Sequence, residues 1–175
     1  SKSETAKKIG GFAPKTFNVD SEKDLSKAIS SEEVVWLRPK TGAGGKGSLV
    51  VSDSKFGWMW IKYWKERGFS STWIAQEYLK GGNYNVTLIF NRNSKLCGMG
   101  MLQRLGYIHE AISPTGITGD VRLAKTVKLE KIVDVAKKAV NMIDSNPVGI
   151  FSVDLMGEKV SAVSYTHLRA HETQR

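Results

Sequence analysis

Cysteine is nearly absent: Cys97 is the only one in the chain. A lone thiol closes no internal disulfide, so a cross-linked secreted scaffold does not fit, whereas a reducing compartment such as the cytosol does. No apolar run approaches the roughly 20 residues needed to cross a bilayer, and the basic start lacks the apolar stretch and cleavage site of a secretory signal. A soluble, cytoplasmic protein is therefore expected. Acidic residues are also in deficit, 17 against 26 Lys and Arg, for a net charge of +9. That excess calls for an anionic partner: nucleotide phosphates, nucleic acid or acidic lipid. The bases are spread along the chain rather than gathered into a block, so charge alone does not choose among these. Compositional extremes are missing too. With 41% hydrophobic and 25% charged residues, the chain is neither collagen-like nor disordered. Its 175 residues suit one domain or a piece of a larger protein.

What is present reads as alternating strands and helices. Ser1 to Val19 is polar and basic, broken by Gly10-Gly11 and Pro14, and is expected to be a lead-in rather than a first element. Ser21-Glu22-Lys23-Asp24 has capping-box spacing, with Leu25, Ala28 and Ile29 following at helical period. Val34 to Leu37 and Leu49 to Val51 are β-rich and flank a glycine-rich stretch, giving strand, glycine loop, strand. Asp53 is placed to cap a helix on which Phe56, Trp60 and Trp64 predict a packed aromatic stripe. Beyond the Gly81-Gly82 turn, Tyr84, Val86, Leu88 and Phe90 alternate with polar residues, and Leu96 to Leu102 returns as the second strand of a hairpin. Gly98 and Gly100 share a face of that strand, which predicts a close approach or a bend. Leu129 to Ile143 carries the clearest 3.6-residue period, and Val148 to Leu155 follows as a strand with Ser152 and Asp154 on its polar face.

Gly42-Ala43-Gly44-Gly45-Lys46-Gly47 matches G-x-G-x-x-G, yet a dinucleotide fingerprint opens a helix directly, and here a strand follows. No Lys-Ser or Lys-Thr pair closes the loop as a P-loop requires, and the chain has no His-Arg-Asp or Asp-Phe-Gly of a protein kinase. A glycine loop between two strands is a flap. Its backbone N–H groups can approach phosphate oxygens, and Lys46 adds a charge. Arg38, ending the preceding strand before Pro39, could bind phosphate in a bidentate manner. Asp154, in an otherwise apolar strand, needs a cation, amides or solvent.

Four segments then stand in order: Trp36-Leu37-Arg38-Pro39, the Gly42 to Gly47 loop, Gln76-Glu77-Tyr78-Leu79-Lys80-Gly81, and Gly149-Ile150-Phe151-Ser152-Val153-Asp154-Leu155. In order and rough spacing they resemble an ATP-grasp domain, most of all the carbamoyl-phosphate-synthase-like carboxylate-amine ligases, from about Val34 to Val160. The resemblance implies an α+β fold of two subdomains, each of mostly antiparallel sheet with packed helices. It also implies ATP and Mg2+ as cofactors, and transfer of the γ-phosphate to a small-molecule carboxylate that an amine then attacks. Carried over by position, Arg38 resembles the basic residue on the ATP phosphates, and Gly44, Gly45, Lys46 and Gly47 resemble the flap. Glu77, Tyr78 and Leu79 fall where the linker meets adenine, Arg104 resembles the basic residue steadying the transferred phosphate or the acyl phosphate, and Asp154 resembles the first magnesium carboxylate. The implied division is a lead-in at 1–32, a small subdomain at 33–79 and a C-terminal subdomain at 80–160.

Two departures from the family pattern stand out. Asn83 stands near the place of an acid that bonds the ribose hydroxyls. The Glu-x-Asn motif expected after Asp154 is missing, and Glu158 lies too near the turn to replace it. Residues 161–175 change in style, and Ser164 to Thr173 resembles translated sequencing-adaptor read-through, so a non-native tail is expected there. With a single magnesium carboxylate this chain is expected to turn over little. Two other classes fit the composition: a nucleotide-binding module without catalysis, and a basic nucleic-acid binder. The aromatics argue against the latter, since they fall at helix-core spacing rather than on a stacking platform.

Overall fold

The computed structural model describes residues 2–41, 45–157 and 164–171, with 2–3 and 164–171 described as backbone. In chain order the elements are α1 (Lys2–Ile9), β1 (Thr16–Val19), α2 (Glu22–Glu32), β2 (Val35–Pro39), β3 (Leu49–Val51), α3 (Ser54–Glu66), β4 (Trp73–Glu77), β5 (Gly82–Phe90), β6 (Leu96–Tyr107), β7 (Val121–Thr126), α4 (Glu130–Ile143), β8 (Gly149–Gly157) and β9 (Ser164–His171). They form two units. The first comprises residues 1–3, 15–78 and 107–121, the second residues 4–14, 79–106 and 122–175. Among the described residues no helix is long and apolar enough to cross a membrane.

The first unit is a four-stranded sheet, order β1-β4-β2-β3, paired antiparallel throughout. Alternation puts Val35 and Leu37 of β2 on the buried face and Trp36 and Arg38 on the other. The buried face meets α2 and α3 in a core built from Val19, Leu25, Ala28, Val35, Leu37, Leu49, Val51, Ile61, Trp73 and Ala75. Burying one leucine such as Leu25 contributes about 1.5–3 kcal/mol. The predicted capping box is present: the Asp24 amide donates to Ser21 Oγ at 3.3 Å, and the Ser21 amide donates to Asp24 Oδ2 at 3.0 Å. Asp53 caps α3, accepting the Phe56 amide at 2.8 Å.

The aromatic stripe differs from expectation. Phe56 is 56% exposed, and Gly57 and Ile61 are the buried positions of α3, with Trp60 and Trp64 partly buried beside them. Gly57 is what lets the helix seat: a Cβ there would stand 2.6 Å from Leu25 Cδ2. Helical period alone does not say which of two adjacent stripes turns inward.

The second unit is a five-stranded sheet, order β7-β6-β5-β8-β9, with α4 packed on one face. Val86, Leu88, Phe90, Phe151, Val153 and Leu155 meet Ile132, Val133, Ala136, Ala139 and Val140 there. The polar faces of β5, β6 and β8 coincide by register, Asn83 opposite Arg104 and Asn85 opposite both Leu102 and Asp154. An α+β architecture of two antiparallel sheets with packed helices is thus what the chain forms.

Two segments correct the sequence reading. The polar start holds helix α1, whose Ile9 is fully buried in the second core, and Thr16–Val19 pairs with β4 as an edge strand. Strand β6 runs on to Tyr107, past the expected end at Leu102. Of the two glycines on its polar face, Gly98 lies against Ile89, whose Cδ1 would be 3.2 Å from an added Cβ, while nothing lies within 4 Å of such an atom at Gly100. The stretch of adaptor-like sequence carries β9, antiparallel to β8.

Candidate functional site

In the first unit the glycine run links β2 to β3 of an antiparallel hairpin. Gly42, Ala43 and Gly44 lie outside the described residues; Gly45, Lys46 and Gly47 close the loop in a turn, with the Ser48 amide donating to the Gly45 carbonyl at 2.9 Å. Gly45 has φ +68° and Gly47 φ +75°, the left-handed region that side chains resist. Both are also hemmed in. A Cβ on Gly45 would stand 2.9 Å from the Ile117 carbonyl oxygen, and one on Gly47 would stand 3.2 Å from Trp73 and 3.3 Å from Pro39. The neighbour of Gly45 is a turn built from hydroxyls, in which Thr115 Oγ1 donates to the Ile117 carbonyl at 3.0 Å.

Helix α3 anchors the closing limb of this loop. Trp60 Nε1 donates to the Gly47 carbonyl at 2.8 Å. The Lys46 ammonium lies 5.8 Å from the Trp64 ring centroid and 5.6 Å from that of Phe69, contacts that contribute about 0.5–1 kcal/mol for an exposed cation. Those rings sit with the helical layer, whereas strand alternation puts Arg38 on the opposite face of the sheet. The two bases expected to share phosphate therefore start from different sides. Further along, Glu77 ends β4, its amide donating to the Lys15 carbonyl at 2.9 Å and its Oε2 accepting the Lys15 amide at 3.3 Å. The Tyr78 ring packs near Trp36, with centroids 6.2 Å apart. The chain leaves the first unit between Tyr78 and Leu79.

In the second unit, strand register gathers four polar side chains that the sequence scatters. Arg104 Nη2 donates to Asp154 Oδ1 at 2.6 Å, and its Nη1 donates to Asn83 Oδ1 at 3.3 Å. Asn85 Nδ2 donates to the same Asp154 oxygen at 2.8 Å and to Ser152 Oγ at 2.8 Å. The Arg104 and Asp154 side chains are 22% and 21% exposed, so their charge-assisted bond is worth on the order of 1.5–3 kcal/mol. Asn83, read from the sequence as standing near a ribose position, belongs here to the surroundings of Arg104.

Asp154 offers a hard carboxylate oxygen, the donor type Mg2+ takes, and Mg2+ commonly needs only one or two carboxylates besides substrate phosphates. Among the described residues no group of three or more His, Cys, Asp or Glu converges. The residues thus fit one protein ligand to a metal whose other ligands come largely from phosphate and water. Glu158 lies outside the described residues. Sequence reading missed Trp60 as a loop anchor, Asn85 as a partner of Asp154, and Ile117 as the neighbour of Gly45. The Ser113-Pro114-Thr115-Gly116 turn signal marked the last of these.

A family model for the ATP-grasp domain matches residues 1–164. The chain belongs to the ATP-grasp domain family. No curated protein sequence matches it significantly. Among solved structures it is similar to carboxyaminoimidazole ribonucleotide synthase from Aspergillus clavatus complexed with ATP: TM-score 0.71 and 15% identity, covering 98% of this chain and 44% of that one. D-cycloserine synthetase DcsG gives TM-score 0.71 at 12% identity, covering 97% and 61%. D-alanine–D-alanine ligase from Bacillus anthracis complexed with ATP gives 0.64 at 12%, covering 97% and 53%. Likeness at such identities establishes the ATP-grasp fold, and the chain spans less than two thirds of each of these proteins. The ATP-grasp match ends at the first residue of the adaptor-like stretch.

Proposed function

We propose that this chain is the ATP-binding part of a cytoplasmic ligase that activates a carboxylate as an acyl phosphate for attack by an amine. The observation that carries the reading is the β2–β3 hairpin. In a chain of this family, its tip holds two left-handed glycines and Lys46, one residue type suited to backbone approach and the other to phosphate charge. Supporting it are Arg38 on the same strand pair and the Arg104–Asp154 cluster. On this reading residues 33–79 and 80–160 are the two subdomains, and residues 161–175 are not native.

The roles follow from the chemistry of each group. Gly44, Gly45 and Gly47 let backbone amides reach phosphate oxygens, while Lys46 and Arg38 neutralise the triphosphate. The backbone at Glu77, Tyr78 and Leu79 takes the adenine. Asp154 holds Mg2+, which when bound screens the charge that phosphoryl transfer concentrates. Arg104 steadies the phosphoryl group as a carboxylate oxygen of the substrate bonds to the γ-phosphorus and the bond to the ADP oxygen breaks. The amine nitrogen then bonds to the acyl carbon, inorganic phosphate leaves, and the nitrogen gives up a proton. Electrostatic stabilisation and positioning carry most of such a reaction.

A second reading is a nucleotide-binding module without turnover. It is favoured by the engagement of Asp154 Oδ1 with both Arg104 and Asn85. Phosphate release from ATP, measured on the full-length protein across a panel of carboxylates and amines, separates the two. Release stimulated by one pair supports the ligase, and no stimulation by any pair supports the module.

A further inference from the structure

Helix α3 carries more aromatic surface than its core needs, and three of the rings in and beside it are used on the glycine loop. Trp60 spends its indole N–H on the Gly47 carbonyl at 2.8 Å. Gly47 itself has φ +75° and is confined by Trp73 and Pro39, so the bond fixes a peptide that already has little room to move. Trp64 meets Trp60 edge-on at 5.9 Å and Phe69 at 5.7 Å, so the rings brace one another. Lys46, the residue before the pinned peptide, lies over Trp64 and Phe69 together.

We infer that Trp60 is a positioning residue of the phosphate loop, and that the Trp64–Phe69 pair is the seat that Lys46 leaves when it takes a phosphate. The inference rests on the nucleotide reading above. Rings and phosphate compete for the ammonium. A cation over a partly exposed ring is held weakly, and a charge-assisted hydrogen bond to phosphate is the stronger partner. With the Gly47 peptide held by Trp60, exchanging one partner for the other requires turning the Lys46 side chain and not remaking the bond at Gly47.

The test uses the 175-residue chain with isotope-labelled lysine and ATP in magnesium buffer, read by nuclear magnetic resonance and by equilibrium binding. Cross-peaks between the Lys46 ε-methylene and the Trp64 and Phe69 rings are expected without nucleotide. ATP should remove them at saturation, and AMP, lacking the triphosphate, should leave them. Trp60→Phe keeps a ring and loses the donor; it should raise the Kd for ATP about fivefold, as expected for one lost hydrogen bond, with the circular dichroism spectrum unchanged. Phe69→Leu should weaken the Lys46 cross-peaks and leave the Kd within about twofold, since the seat competes only weakly with phosphate. Saturable ATP binding with the Lys46 cross-peaks intact, or with Trp60→Phe binding as tightly as the parent, overturns the inference and spares the nucleotide reading. No saturable ATP binding overturns both.

Discussion

The glycine hairpin of the first unit and the Arg104–Asp154 cluster of the second are built by different means. The hairpin is a backbone device: two left-handed glycines, a turn, and an indole that fixes a carbonyl. Its charged member, Lys46, rests on rings. The cluster is a side-chain device on a regular sheet, with an acid oxygen held at 2.6 Å by a guanidinium and at 2.8 Å by an amide. The first is sensitive to the addition of one carbon atom; the second is sensitive to the removal of one charge. Conformation limits the first, and electrostatic balance limits the second.

The largest effect should come from breaking the cluster. On the proposed reading Asp154→Asn removes the carboxylate that would hold magnesium and leaves Arg104 with Asn83, and it should cost about 100-fold or more in turnover. Magnesium-dependent phosphate release by the full-length protein checks this; activity equal to the parent would make Asp154 structural. Next comes the hairpin. Gly47→Ala forces a Cβ into a left-handed residue against Trp73 and Pro39, whereas Gly68→Ala, at φ +80°, meets nothing within 4 Å. Thermal denaturation should show a loss of about 1–3 kcal/mol at Gly47, strain plus contact, against about 1 at Gly68, strain alone. Equal losses would mean that the packing around the loop contributes nothing.

The smallest effects lie outside both devices and serve as their baseline. Ser21→Ala removes the cap of α2 and should cost about 1 kcal/mol in thermal denaturation while leaving ATP affinity unchanged. The Asp24 carboxyl is held below its usual range by the Ser21 hydroxyl, against some desolvation, with further help from backbone amides. At Glu32 burial alone would raise the pKa, but hydrogen bonds from Ser31 and Lys15 outweigh it and the net shift is downward. Both groups have folded-state values below their unfolded ones. Their stabilisation is therefore complete above the ordinary carboxylate range and is lost as pH falls through the depressed folded values. Lys15 is shifted the other way, chiefly by its hydrogen bond to Glu32, so its share is present below the ordinary lysine pKa and is lost as pH rises through the higher folded value. Denaturation midpoints measured from pH 3 to 7 should fall on the acid side in the parent and fall less in Ser21→Ala.

Much of this fold could be read from local chemistry. The Ser21 capping box and the Leu129 to Ile143 period each specify a helix without outside help, and the alternation from Tyr84 to Phe90 specifies a half-wet strand. Elements that failed to show are those whose reasons lie elsewhere in the chain. Helix α1 has one fully buried anchor, Ile9, in a core made mostly of distant residues. Strand β7 is exposed along its whole length and carries Arg122 and Lys125, so no alternation marks it. The site divides in the same way. Glycines between two strands announce a backbone device. The meeting of Arg104 with Asp154, separated by 50 residues, exists only once register is known. The anchoring role of Trp60 was hidden for a related reason, since an indole at core spacing looks alike whether its N–H is used or idle.

Titration of labelled ATP in magnesium buffer into this chain, its Arg38→Ala variant and its Lys46→Ala variant tests the central claim most directly. Saturable binding by the parent, weakened in each variant with the circular dichroism spectrum retained, is the predicted result. Absence of saturable uptake, or equal affinity in all three, would contradict it.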